Sequence, residues 1–478
     1  MPMTAPSAQS LSLPELILAL SAVALLVWGA FQKKPGVVFN TAAAAALIAA
    51  TIISAAGPLG RAFDGGLIVD AGAVLGKVMI YLASAVAIPL GDHWFRRRGI
   101  VRFEFPVLVI LAALGMGMMV SAGDLIALYI SIELQSLALY VLAASRTDDE
   151  KSSEAGLKYF VLGALSSGIL LYGASLIYGF AGSTHFDVIA ASMTHGAGPG
   201  ALFGLVFLIC GIAFKVSAAP FHMWTPDVYE GAPTPVVGFF AGAPKLAAMI
   251  LLARVLTQAF GGATEQWRQV IVAMALISVA VGAFAGLAQK DVKRLWAYSS
   301  IAGIGYALIG LAAGGAVGIQ SMLVFMVLYV VDVTGFFACL TALTRDGKPM
   351  QTLDDFAGLA RERPGMAVAM TFFSLSALGL PPFSGLWAKY YVFKAALGAG
   401  LGPVAVAALV GSVVAAFYYL KLIKMMWFDP AVGTTDAPSR SASLVAYACA
   451  LFSFPGVLIA LIWLDPLVHA AAVALATR

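Results

Sequence analysis

Four ionisable side chains fall within long apolar stretches of this sequence: Glu133, Lys215, Lys245 and Lys389. A charge at membrane depth costs about 2.5–3.5 kcal/mol on insertion scales, so each needs a partner, a water cavity or a task. Lysine suits proton carriage because burial disfavours its charged form and a neighbouring carboxylate favours it. Lys215 stands just before Ser217-Ala218-Ala219-Pro220, and Lys389 just after Gly379-Leu380-Pro381-Pro382. Prolines at these places break a helix, and unwound backbone groups can order water between side chains too far apart to touch. His222, beyond the first break, reads either as a relay group or as a structural hydrogen-bonding residue. For Glu133 and Lys245 the competing reading is a structural ion pair that fixes helix packing.

Other charges have plainer readings. Lys158 follows Glu154 by four residues, so a snorkelling lysine in a surface pair competes with a buried relay member. Lys77 shares a helix face with Asp70, which points to a structural pair. Lys421 and Lys424 read as snorkelling anchors, and Asp332 is buried in sequence terms without an evident partner.

The elements that must position these groups are membrane helices. Of 478 residues, 61% are hydrophobic and 11% charged, well below the roughly 25% charge of a soluble domain. A span takes about 20 apolar residues, and runs of that kind recur along the whole chain. The expected fold is an all-α polytopic membrane protein of about fourteen transmembrane helices. Runs seven (200–229) and twelve (366–400) are too long for one straight helix and hold the two proline breaks. Ala219-Pro220-Phe221-His222-Met223-Trp224 resembles Pro381-Pro382-Phe383-Ser384-Gly385-Leu386-Trp387, five spans later. An odd separation inverts the repeated unit, the plan of many transporters. The expected organisation is residues 1–102 as helices 1–3, residues 103–259 as a first inverted five-helix repeat, residues 260–428 as a second, and residues 429–478 as helix 14.

Basic residues gather in odd-numbered loops: Lys33/Lys34, Arg96–Arg98 with Arg102, Arg146/Lys151, Lys290/Lys293/Arg294, and Arg345/Lys348/Arg361/Arg363. The positive-inside rule places those loops in the cytoplasm and both termini in the periplasm of a bacterial inner membrane. Met1 to Ser12 lacks the basic start of a signal peptide, so the first apolar run is expected to be a retained anchor. Net charge is +4 with no basic run longer than three residues, which excludes a nucleic-acid partner in favour of the lipid bilayer. Cys210, Cys339 and Cys449 stand alone in separate apolar runs, so neither a disulfide, a metal centre nor an iron–sulfur cluster is expected.

At these residues the chain resembles the antiporter-like membrane subunits of respiratory NADH:quinone oxidoreductase (complex I), and among them subunit N. The resemblance rests on Ile132-Glu133-Leu134, Lys158-Tyr159-Phe160, Phe214-Lys215 and Ala219-Pro220-Phe221-His222-Met223-Trp224. It continues through Asp227-Val228-Tyr229-Glu230-Gly231-Ala232-Pro233, Lys245, Lys293-Arg294-Leu295 and Pro381-Pro382-Phe383 up to Lys389. It implies a proton relay of Glu133, Lys158, Lys215, Lys245 and Lys389, with Glu133 and Lys158 as the charge pair of the first half, and His222 stands beside that axis as a further candidate relay group. It further implies no cofactor in this chain, with NADH, FMN, iron–sulfur clusters and quinone handled by other subunits, and partners that include further antiporter-like subunits. Gly303 stands where many relatives carry His, which leaves the route from Lys245 to Lys389 more dependent on water. The rival reading is a subunit of a multi-chain sodium/proton antiporter or a membrane-bound hydrogenase, families with the same helices and lysines. A stand-alone substrate transporter would need a polar ligand pocket between the repeats, and no such cluster is evident.

Overall fold

The computed structural model describes residues 6–32, 36–100, 102–193 and 198–477; Lys33 and Lys34 lie outside them. Apolar composition makes helices throughout, because at membrane depth a helix satisfies every backbone group within itself. The chain begins with α1 (Leu13–Ala30), α2 (Val37–Ala56), α3 (Ala71–Arg97), α4 (Glu104–Val120), α5 (Leu125–Ala143) and α6 (Glu150–Ala181). The expected seventh span is two helices, α7 (Pro199–Val216) and α8 (Trp224–Gly231). There follow α9 (Thr234–Ala241), α10 (Ala243–Arg254), α11 (Thr264–Gly286), α12 (Val292–Ala313) and α13 (Gly315–Ala342). The expected twelfth span is α14 (Pro364–Leu378) and α15 (Ser384–Gly398), and the chain closes with α16 (Gly402–Phe428), α17 (Arg440–Leu451) and α18 (Val457–Ala476).

Among the described residues, twelve stretches are long and apolar enough to cross a membrane, and α4 and α14 are shorter apolar helices. Both proline breaks stand where the sequence placed them. Two more were not expected. Gly242 (φ −105°, ψ −86°) separates α9 from α10, ahead of Pro244, so Lys245 lies in the first turn of a new helix rather than midway along a straight one. The last run is also interrupted, around Phe454 and Pro455, and continues to Ala476.

Alternate crossing is visible in the loops. At one end, the hairpin of β1 (Gly60–Ala62) and β2 (Leu67–Val69) bridges Leu67 to Ala122, and Asp124 bridges to His185. At the other end the odd-numbered loops are sewn together. Arg102 bonds Thr147, Lys151 pairs with Glu230, Arg294 pairs with Glu230, Asp291 bridges to Thr352, and the Asp436 amide donates to the Thr344 carbonyl. The basic residues Arg102, Lys151 and Arg294 therefore share one face.

The most buried spans are α9–α10 and α12, each 94% inside the bundle across its apolar window, against 33% for α1 and α2. Two polar ties hold the outer helices to this core. Glu15 of α1 pairs with Lys77 of α3 at 2.7 Å, and Asp70, capping α3, takes both Nη1 (2.7 Å) and Nη2 (2.8 Å) of the fully buried Arg254. This corrects the expected Lys77–Asp70 pair. Seven residues put about 10 Å of helix between the two, and the Asp70 carboxylate is already committed to the Ala73 amide and Arg254.

Removing one partner of a buried ion pair costs about 3–5 kcal/mol, because the other charge stays desolvated. Arg254 keeps bonds to the Val120 carbonyl and Gln258, so Asp70→Ala should fall near 3 kcal/mol. Thermal unfolding in mild detergent should show the drop; an unchanged transition would mean that Arg254 finds water or another acceptor.

Candidate functional site

Lys215 ends α7, where the chain turns through Ser217 in the left-handed region (φ 66°). A cation there meets the negative end of the helix dipole. Its Nζ donates to Ser136 Oγ at 2.7 Å and to the Tyr140 hydroxyl at 3.2 Å, both from α5. Glu133 lies on the same face of α5, one turn before Ser136, and its carboxylate accepts from Ser167 of α6. Lys389 repeats the arrangement from the far side of the second break. Its Nζ donates to the Ala377 (3.0 Å) and Leu378 (2.8 Å) carbonyls at the C-terminal end of α14, and to Ser412 Oγ at 2.7 Å. The second break thus offers the open carbonyl end of a half-helix to Lys389, whereas Lys215, at the end of the first half-helix, is held by hydroxyls of α5.

Lys245 stands between them in the most enclosed part of the bundle, 1% exposed. It donates to Ser300 of α12, which bonds the Tyr329 hydroxyl of α13 at 2.6 Å. Tyr329 in turn lines a cavity of about 60 Å³ shared by Gly303, Tyr306, Asp332, Lys389 and Tyr419. A side chain at position 303 would enter this space, since a Cβ there meets only the Tyr329 ring, at 3.4 Å and beyond, and Phe325. The cavity has room for a few waters at roughly 10–15 Å³ each, so the expected watery route between Lys245 and Lys389 has a place to run. Among the described residues, none of Lys215, Lys245 and Lys389 makes an ion pair within 4.0 Å.

Lys158 is placed differently. Its side chain is 41% exposed and pairs with Glu154 at 2.7 Å and Asp227 at 2.8 Å. Asp227 also binds Arg294 at 2.6 Å, Glu230 binds both Arg294 and Lys151, and the buried Lys293 ammonium donates to the Glu230 and Ala232 carbonyls. The expected Glu133–Lys158 pair is therefore replaced by a charged cluster on the odd-loop face. Lys158 begins only the third turn of α6, whereas Glu133 sits mid-way along α5, so Asp227 is the carboxylate within reach. His222 is half-buried in the turn between α7 and α8, where its carbonyl accepts from the Thr225 amide.

The profile described as NADH:quinone oxidoreductase/Mrp antiporter, TM, matches residues 122–415. NADH-quinone oxidoreductase subunit N of Caulobacter sp. (strain K31) is 67% identical, covering 97% of this chain and 98% of that one. The chain belongs to the NADH-quinone oxidoreductase subunit N family. One chain of respiratory complex I from Thermus thermophilus, solved with bound aureothin, superposes with a TM-score of 0.80 at 35% identity, covering 96% of this chain and 99% of that one. A chain of the Mrp complex from Dietzia sp. superposes at 0.84 over 98% of both chains but is 21% identical, which is a likeness of fold alone. The fold is thus common to the subunit N family and the Mrp chain, and the matching profile spans both by its description. It is an antiporter-like membrane fold.

Sequence reasoning missed the hydroxyls of this subunit N site: Ser136, Tyr140, Ser167, Ser300, Tyr329 and Ser412. Serine and tyrosine are unremarkable in apolar runs, and nothing in their spacing distinguishes those that face a lysine. The Asp227–Glu230 acids could have been read, being three apart on one helix face opposite a Lys/Arg-rich loop.

A hydrogen bond to a charged group contributes about 1.5–3 kcal/mol. Ser300→Ala should lower the unfolding free energy of the detergent-solubilised chain by about that amount, and break the link from Lys245 to Tyr329. A loss under about 0.5 kcal/mol would place another acceptor at Lys245.

Proposed function

We propose that this chain is a proton-translocating subunit of the membrane arm of NADH:quinone oxidoreductase. Protons pass along Glu133, Lys215, Lys245 and Lys389, driven by quinone reduction in other subunits. The observation that carries the reading is that three lysines are buried at or beside helix breaks and held by hydroxyls and half-helix carbonyls instead of carboxylates. A lysine so held keeps hydrogen-bonding partners whether charged or neutral, because a serine or tyrosine hydroxyl both donates and accepts. A fixed ion pair would hold the charged state.

Lys158, with Asp227, Glu230, Arg294 and Lys151, forms the mouth on the odd-loop face, and His222 lies beside the first break as a further proton carrier. The basic residues collected on that face support a cytoplasmic position for it, with the termini periplasmic in a bacterial inner membrane. Residues 103–259 and 260–428 act as two inverted halves, each with its own broken helix, flanked by residues 1–102 and 429–478. NADH, FMN, iron–sulfur clusters and quinone belong to other subunits, and the neighbours of this chain in the bilayer include further antiporter-like subunits.

Lys215→Ala removes the first interior carrier. In host membranes with the complex shown to be fully assembled, proton pumping and coupled NADH oxidation should fall together by several-fold. Undiminished pumping in the assembled complex would overturn the assignment.

A further inference from the structure

Asp332 lies on α13, in the middle of the second half, and faces the same cavity as Lys389. Its Oδ2 accepts from Ser376 Oγ and from Ser384 Oγ at 2.7 Å; Ser384 also bonds Ser453 at the break between α17 and α18. Two chain interruptions therefore converge on one carboxyl group: the α14–α15 break through Ser376 and Ser384, and the α17–α18 break through Ser453, which bonds Ser384. Its other oxygen, Oδ1, is out of contact with solvent and has no protein partner. A buried carboxyl oxygen without a donor is costly, by about 1–3 kcal/mol or more when charged, so this one either carries a proton or meets water. The cavity that Lys389 and Gly303 line supplies the room.

The groups around Asp332 are otherwise neutral: Ser376 of α14, Ser384 of α15, Ser453, the Cys449 thiol of α17 and the Tyr329 ring one turn away on α13. Lys389 is the cation on the cavity wall. Lys389 has no ion-pair partner within 4.0 Å among the described residues, so the cavity holds one amine and one carboxyl group, separated by space for water.

We infer that Asp332 is a proton-carrying residue of the second half, exchanging a proton with Lys389 through cavity water. The balance is simple. The Lys389 ammonium gives one proton to the adjacent water as that water, or the next, gives one to Asp332 Oδ1. An ion pair becomes an amine and a carboxylic acid, and the reverse transfer restores it. No net charge moves into or out of the cavity, so the exchange avoids placing a lone charge at membrane depth. Asp332 thereby serves the second half as Glu133 serves the first, from a different helix. This rests on the proton-translocating reading above.

The test uses the assembled complex in host membranes, with Lys215→Ala beside Asp332→Asn and Asp332→Glu. Asp332→Asn keeps the shape and the serine contacts but cannot take up a proton, so pumping should fall at least several-fold, and Asp332→Glu should recover much of it. Infrared difference spectra between turnover and rest should show a carboxylic-acid band that Asp332→Asn abolishes. Normal pumping in Asp332→Asn with Lys215→Ala impaired would overturn the role of Asp332 and leave the proton-translocating reading intact. Normal pumping in both would overturn that reading as well. If Asp332→Asn fails to assemble, Gly303→Leu decides the matter. It puts an apolar side chain into the cavity while leaving both carriers in the chain, and should lower pumping several-fold. Unchanged pumping there overturns the water-mediated exchange.

Discussion

The arrangement depends on how a cation is held where there is no water to hold it. At membrane depth an ammonium needs acceptors that the apolar helices do not offer, since their carbonyls are already used within the helix. Breaking a helix releases them. The C-terminal end of α14 gives the Ala377 and Leu378 carbonyls to Lys389, and Lys215 ends α7 at its own break. From this requirement follow the prolines, the left-handed turns at Ser217 and Gly379, and the serines opposite each lysine. A straight helix in either place would leave its lysine with a charge and nothing to face.

The same requirement sorts the charges by depth. On the odd-loop face, Lys158, Asp227, Glu230, Arg294 and Lys151 form direct pairs, a quarter or more exposed, where each pair is worth little more than about 0.5 kcal/mol and can exchange partners freely. Deeper, the direct pairs are Lys77–Glu15 and Asp70–Arg254, which bind outer helices to the core and take no part in the central row. Between these two populations runs the row of lysines bonded to hydroxyls and carbonyls. Ion pairing therefore serves surface and scaffold, and among the described residues the interior lysines are left free of it.

Much of this could be read along the chain. Hydropathy located the apolar helices along the chain, because the bilayer fixes their length and leaves composition little freedom. The two main breaks were legible from Pro220 and Pro381-Pro382, and the buried lysines from their apolar surroundings. What sequence could not supply was the partner across the bundle. Lys77 and Asp70 share a helix and invite pairing, but Glu15 and Arg254 lie 62 residues before one and 184 after the other. The Gly242 kink was hidden because glycine and a first-turn proline both fit an intact helix start. Lys158 was legible in one of its two readings, with Glu154 four residues away, whereas Asp227 comes from the α8 turn beyond the first break.

Hydroxyl-rich surroundings also explain how such a row stays compatible with a stable bundle. A carboxylate beside each lysine would deepen the well in which its proton sits, by several kcal/mol at low dielectric, and would have to be pulled away before the proton moved. A hydroxyl reverses its own hydrogen bond by rotating, a motion that needs no helix displacement. The Lys245–Ser300–Tyr329 chain is built of such groups and leads from the most enclosed lysine to the cavity at Gly303. In the relay proposed above, charge displacement is confined to protons and hydroxyl rotors within the buried core. The helices need only hold their breaks in place, which is what the buried scaffold pairs and the loop-to-loop hydrogen bonds do.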